Sequence, residues 1–182
     1  DFVAARLLTE SPVPVMVIGP AVEPTIGLPT NEIVVSLEGS PESEAILPLA
    51  AEWSRALSAA LTVIGVVRAS ANQARSERRY LEDRLALVPS GTSSTHAHLI
   101  ESDDPGKAIC GYLAERPGSL MMMSTHGRSG VDDAPLGSVA QAVLLNASRP
   151  VVFRRPEVVP PEPPAPEPPS PPKREVWLDL PD

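Results

Sequence analysis

Residues 124–138 read STHGRSGVDDAPLGS, and their chemistry is that of anion binding. Gly127 and Gly130 can take positive φ and turn backbone amides toward an anion. Gly137-Ser138 opens a helical pattern whose unpaired first-turn amides and dipole favour a phosphate, with the Ser138 hydroxyl as an added donor. Arg128 supplies a guanidinium for the same group. Asp132 and Asp133 in the same stretch oppose it. A carboxylate about 4 Å from a phosphate oxygen costs about 1 kcal/mol in water and about 4 kcal/mol at an effective dielectric near 20. Facing the phosphates, the pair would weaken binding tenfold or more. Pointing outward, or holding Mg2+ against a triphosphate, it would cost little or help.

Other reactive side chains are accounted for more simply. His126 either donates to a phosphate or braces the turn. His96 and His98 alternate on one strand and face the same side, but no Cys or acid stands at ligand spacing, so they do not suggest a metal site. Ser124 and His126 are neighbours along an extended segment without a third orienting group, which is not the geometry of a nucleophile and its base. Met121–Met123 reads as buried strand and Cys110 as helix core. No acid–base pair suited to hydrolysis emerges.

The elements that must position this loop follow from periodicity. Short apolar runs stand at 32–37 (EIVVSL), 61–67 (LTVIGVV), 96–100 (HAHLI), 119–124 (SLMMMS) and 150–154 (PVVFR), most with β-branched residues. Helical patterns separate them. Ser40-Pro41 with Glu42 and Glu44 is an N-cap, a first-position proline and acids at the positive end of the dipole. The following helix should carry Ile46, Leu47, Leu49, Ala50, Trp53, Ala56 and Leu57 inward, with Pro48 costing a backbone bond or a bend. Residues 71–87 read as a charged surface helix. Asp104-Pro105 repeats the cap device for a helix to about Glu115, and the last helix runs from Gly137-Ser138 to about Ala147. Strict alternation predicts an α/β fold, a doubly wound parallel sheet with helices on both faces. Ligands of such sheets sit beyond the carboxyl ends of the strands, where the strand order reverses. The glycine loop leaves the fourth strand there.

Composition narrows the function. The 182 residues carry a formal net charge of -8 and 42% hydrophobic but only 3% aromatic residues. The core must be aliphatic, and a general nucleic-acid binder is disfavoured, since that needs basic surface to displace counterions. A single cysteine suits a cytoplasmic protein, and no run is long and apolar enough to span a bilayer. After Arg155 the composition changes: residues 156–182 hold 11 of the 23 prolines and should be extended or disordered. Within that tail, Val176, Trp177, Leu178 and Leu180 form either a terminal remnant or a short docking peptide. At the other end, DFVAARLLTESPVPVMV (1–17) aligns on GSVAQAVLLNASRPVVF (137–153) at a constant offset of 136 residues, either as two generic helix–proline–strand joints or as a repeat. As a repeat, residues 1–19 are the last helix and strand of a preceding domain, 20–30 a linker, 31–155 a complete domain and 156–182 the tail. The chain would then be a segment of something longer.

Three stretches together, EIVVSLEGSPESEAILPLAAEWSRAL, SDDPGKAI and MSTHGRSG…LGSVAQAVLLNASRPVVF, resemble the universal stress protein family over residues 31–155, and the N-terminal piece resembles the tail of another such domain, as in tandem members. The likeness implies a Rossmann-like five-stranded parallel sheet of order 3-2-1-4-5, contact between copies through the last strand, and in one branch ATP at a loop written G-x2-G-x9-G-(S/T). Ser124 stands at the first glycine, Gly127 at the second, and Gly137-Ser138 completes the pattern after nine residues. Where the family usually writes Pro-x-Asp-Gly-Ser, this chain has Ser36-Leu37-Glu38-Gly39-Ser40, which keeps a carboxylate at Glu38 near the nucleoside. By the same likeness Val66 touches adenine and Met123 the ribose. Ser36, Ser129, Gly130 and Val139 complete the candidate nucleotide contacts. In the first copy Asp1-Phe2 replaces Gly-Ser, so that half lacks the seat.

The expected function is a stress-response sensor that binds ATP or a related adenine nucleotide, with Mg2+ as an optional companion, and signals to a protein partner not identifiable from sequence. The alternative is a nucleotide-free dimerisation module with a degenerate loop, working through strand 150–154 with strand 13–18 as an internal substitute. Slow ATP hydrolysis ranks third.

Overall fold

Alternate side chains of Ile33, Val34 and Val35 must enter opposite apolar layers, because successive strand residues point to opposite faces. The computed structural model, which describes residues 3–23, 31–68, 71–88, 91, 94–126 and 136–156, shows those layers. The strands are β1 Val15–Val17, β2 Glu32–Ser36, β3 Ala60–Val67, β4 Thr95–Glu101, β5 Ser119–Ser124 and β6 Val151–Arg154. The helices are α1 Val3–Glu10, α2 Pro41–Glu44, α3 Leu47–Leu57, α4 Ala71–Ala86, α5 Pro105–Ala114 and α6 Ser138–Asn146. On one face Val34, Ile64, Met121 and Phe153 pack with Leu8 of α1, Ile109 and Leu113 of α5 and Val143 of α6. On the other, Ile33, Val35, Leu61 and Met122 pack with Ile46, Ala50 and Leu81. Methionines 121–123 are all buried.

The sheet order is β1-β6-β5-β2-β3-β4. The five strands β2 to β6 are parallel, in the 3-2-1-4-5 order expected from the resemblance. The sheet differs from the expected five-stranded one by a sixth strand: β1 joins the outer edge of β6 antiparallel, pairing Val15 with Phe153, Met16 with Val152 and Val17 with Val151. An unpaired β6 edge would leave its amides and carbonyls open, and β1 closes them. The register has a symmetry. Under the 136-residue offset Met16 pairs with its own counterpart Val152, Val15 with the counterpart of Val17 and Val17 with the counterpart of Val15, as across a two-fold axis.

Two other expectations are corrected. The helix expected to run on from Pro41 is two helices, α2 and α3, parted at Ala45-Ile46. Pro48 explains the break: it has no amide for the Glu44 carbonyl and its ring crowds that oxygen, so it sits instead in the first turn of α3. The new phase leaves Leu57 41% exposed rather than inward, and Ala56 is exposed with it. Cys110 is half-buried rather than core; burial first, then the Asp104 carboxylate, pushes its thiol pKa up. Among the described residues no helix is long and apolar enough to cross a membrane.

A buried cation fastens the end of α5. Arg149, 8% exposed, donates through Nε to the carbonyls of Arg116 at 3.0 Å and Leu113 at 3.3 Å, and through Nη2 to Ala114 at 3.3 Å. Leu113 and Ala114 lie in the last turn of α5, at the negative end of its dipole, and Arg116 lies just beyond it. Arg149→Ala should therefore lower stability by roughly 2–3 kcal/mol, the usual worth of hydrogen bonds to a charged group. A urea titration reads this as an earlier midpoint at unchanged slope, and Arg149→Lys should recover only part, since an ammonium lacks the planar fork.

Candidate functional site

β2 is flanked on one side by β3 and on the other by β5, both parallel to it. The crossovers therefore depart to opposite faces and leave a crevice at the carboxyl ends of these strands. A cavity of about 400 Å³ fills it, within the range of small-molecule sites.

Local rules build each wall. After β2, Gly39 takes φ 88°, a conformation that suits glycine, and turns the chain into α2. Ser40 caps α2 by accepting from the Ser43 amide at 3.1 Å, while the Ser43 hydroxyl donates back to the Ser40 carbonyl at 2.9 Å. The Ser40 hydroxyl also donates to the Glu38 carboxylate, which fixes that carboxylate at the cavity rim. On the far side, Asp104 caps α5 by accepting from the Lys107 amide at 3.0 Å, which sets Pro105 and Ile109 into the wall. Gly106 lets α6 approach: a Cβ there would stand 2.6 Å from that of Ala142. The Gly137 amide donates to the Thr125 carbonyl at 2.9 Å, bringing the start of α6 against the end of β5.

The arrangement brings Ser36, Glu38, Val66, Met123, Ser124, Gly137, Ser138 and Val139 into the lining of one cavity. Gly127, Arg128, Ser129 and Gly130, with Asp132 and Asp133, lie outside the described residues. The sequence reading missed Leu37, Ser43, Pro105, Ile109, Thr125 and Ala140, which also line it. Pro105 and Ile109 carried a usable signal, since positions i and i+4 share a helix face and the helix begins at the sheet's ligand-binding edge. His126 braces the turn, its Nδ1 3.0 Å from the Thr125 hydroxyl, and the residue also lines the cavity.

Ser124, at the first glycine of the loop pattern, also makes a tertiary contact. Its hydroxyl donates to the Glu42 carbonyl at 2.6 Å, and Arg154 Nη1 donates to the Ala45 carbonyl at 3.2 Å. Both acceptors lie at the α2–α3 break, where the helical pattern no longer supplies amides. The serine thus ties the end of β5 to the helix that presents Ser43.

The cavity has a mainly apolar wall, polar groups at its rim and a helix start at one end. Gly137 is the N-cap of α6, with φ -62° and ψ 151° and no side-chain bond at the cap among the described residues. Among the described residues no cluster of three or more His, Cys, Asp or Glu side chains could hold a metal ion. A family model described as Universal stress protein family matches residues 29–155. The chain belongs to the universal stress protein family. Solved universal stress proteins share its fold. One, in complex with cAMP, is 20% identical with a TM-score of 0.57, over 70% of this chain and 98% of that one. Another, from Archaeoglobus fulgidus in complex with dAMP, is 21% identical with a TM-score of 0.55, over 70% and 98%. A third, from Archaeoglobus fulgidus DSM 4304, is 19% identical with a TM-score of 0.64 over 84% of this chain, which spans only 53% of that longer one. No curated protein matches the chain.

Within this universal stress protein fold, Ser124→Ala should strand the Glu42 carbonyl and cost about 1 kcal/mol or somewhat more. Thermal unfolding would register it as a Tm lower by several degrees.

Proposed function

We propose that the cavity binds ATP or a related adenine nucleotide and that the domain acts as a non-enzymatic regulatory sensor in a stress response. The observation that carries the reading is the junction at Gly137-Ser138, where an apolar cavity opens onto the uncapped start of a nine-residue helix. The nucleoside would lie along Val66, Ile109 and Met123, with Ser36 and Glu38 at its polar edge. The phosphates would meet the first-turn amides and the Ser138 hydroxyl, with Gly127, Arg128, Ser129 and Gly130 closing over them and Mg2+ as an optional companion. The cAMP and dAMP bound by two relatives support adenine. Small molecules released from freshly purified protein should include an adenine nucleotide, and ATP titrated with Mg2+ should saturate below millimolar concentration. No nucleotide and no saturation would sink the reading.

Gly137→Asp separates binding from folding. The backbone at 137 is extended, and a Cβ there meets only ordinary contacts, Thr125 O at 3.5 Å and His126 Cα at 3.8 Å. Aspartate is also a favoured N-cap residue. The variant should fold at least as stably as the parent yet bind ATP ten or more times more weakly, because its carboxylate takes the amides and repels the phosphate.

A second reading concerns assembly, and the symmetric β1–β6 register favours it. Residues 1–19 would stand in for the tail of a neighbouring domain, and 20–30 would link it to the complete domain. Deleting residues 1–19 would open the β6 edge to a second copy. Sedimentation should then show a dimer that the full chain does not form, and an unchanged profile would count against the stand-in role.

A further inference from the structure

The proline-rich stretch after Arg155 leaves the fold beside the cavity. Arg154 is the strand partner of Ser124, and its carbonyl accepts from the Thr125 amide at 3.0 Å; Ser124 and Thr125 both line the cavity. Arg154, two residues before Pro156, therefore stands one strand spacing, about 5 Å, from the cavity wall. Trp177 lies 21 residues beyond Pro156. At about 3 Å per residue for a proline-rich chain, reach is no obstacle.

We propose that the segment Glu175-Val176-Trp177-Leu178-Asp179-Leu180 of the same chain docks in this cavity and competes with the nucleotide for it. The inference rests on the nucleotide reading and adds a regulator to it. Complementarity singles out this segment. The cavity wall formed by Val66, Ile109, Met123 and Val139 calls for a flat or bulky apolar group, and Trp177 is the only aromatic residue beyond Phe153. The start of α6 calls for a negative group, and Asp179 follows two residues later, about 7 Å away in an extended chain. An indole and a carboxylate at that spacing imitate a base and a phosphate. The rest of the tail, mostly proline and glutamate with Val158, Val159, Lys173 and Arg174, has no second aromatic anchor. Tethering supplies the competitor at an effective concentration near the millimolar range for a linker that can span the gap, so a weak contact suffices.

The test uses the full chain. In a Trp53→Phe background Trp177 is the sole tryptophan, since the chain has two, and acrylamide quenching reports its accessibility. Trp177 should be shielded relative to a free peptide of residues 170–182, at a level independent of protein concentration. Gly137→Asp, which places a carboxylate where Asp179 would sit, should expose it without any nucleotide present. Trp177→Ala combined with Leu180→Ala should tighten ATP binding by about threefold or more. Trp177 as accessible as in the free peptide, shielding that grows with protein concentration, or shielding that Gly137→Asp leaves intact would each overturn the proposal. So would ATP binding equal in parent and double variant. A chain that binds no ATP in either form, yet shields Trp177 and releases it in Gly137→Asp, would remove the nucleotide reading and leave the docking contact standing.

Discussion

The central position of β2 constrains everything else. With β3 on one side and β5 on the other, all parallel, the chain crosses from β2 outward to β3 and β4 and then back past β2 to β5 and β6. Right-handed crossovers then put α2, α3 and α4 on one face and α5 and α6 on the other. Between the diverging connections the carboxyl ends of β2 and β5 have no helix over them. The cavity is that gap. Ser36, Val66 and Ser124 line it because each stands at or next to the last residue of its strand, and the caps at Ser40 and Asp104 follow because each crossover helix must start at the same edge.

The wall nearest β5 is held by hydrogen bonds to a defect as well as by apolar packing. Pro48 ends the continuity of α2 into α3, which frees carbonyls between Glu42 and Ile46. Two of these take donors from neighbouring strands, the Ser124 hydroxyl and the Arg154 guanidinium. A glycine at 124 would leave the Glu42 carbonyl to water. The departure from the family's loop pattern at this position is thus compensated by a contact that the break makes available. One consequence is rigidity: the side chain at the first loop position is already committed and does not reorient toward a ligand at no cost.

Legibility in the sequence divides along the same line between local and tertiary causes. Ser119–Ser124 is the strand that the apolar run marked, and the caps at Ser40 and Asp104 are realised, because each depends on neighbours within a few residues. The lining by Ser36, Glu38, Val66 and Met123 was reached through a resemblance, since nothing in periodicity brings residues from three strands together. What the sequence did not disclose is set by partners distant along the chain. Strand 13–18 was named as an internal substitute partner for strand 150–154, but the antiparallel register of Val15–Val17 on Val151–Phe153 depends on a free edge over 130 residues away. Pro48 was visible as a disturbance, yet whether a helix bends or splits depends on whether other donors can reach the freed carbonyls. Thr125 and Ala140 gave no signal, since small residues line a cavity as readily as they fill a core.

The two edges of the sheet are guarded differently. On one side β1 is a three-residue strand bracketed by Pro14 and by Gly19-Pro20, which shortens the ladder available to another chain. On the other, β4 carries His96 and His98, both exposed, and Tyr112 of α5 meets His98 at a tilt of 43° with ring centroids 5.1 Å apart, while the Arg116 guanidinium lies 3.5 Å from the centroid of the tyrosine ring. A strand adding to that edge would have to accommodate this polar, aromatic layer. The apolar side chains exposed near β1, Val13 and Ile18, flank the strand at its two ends. Enclosed apolar surface beside unpaired backbone donors occurs at the carboxyl edge of β2 and β5, where a ligand gains from both at once: burial scales with the area removed from water, and the helix start favours one sign of charge. A flat apolar group joined to an anion matches that combination better than either part alone.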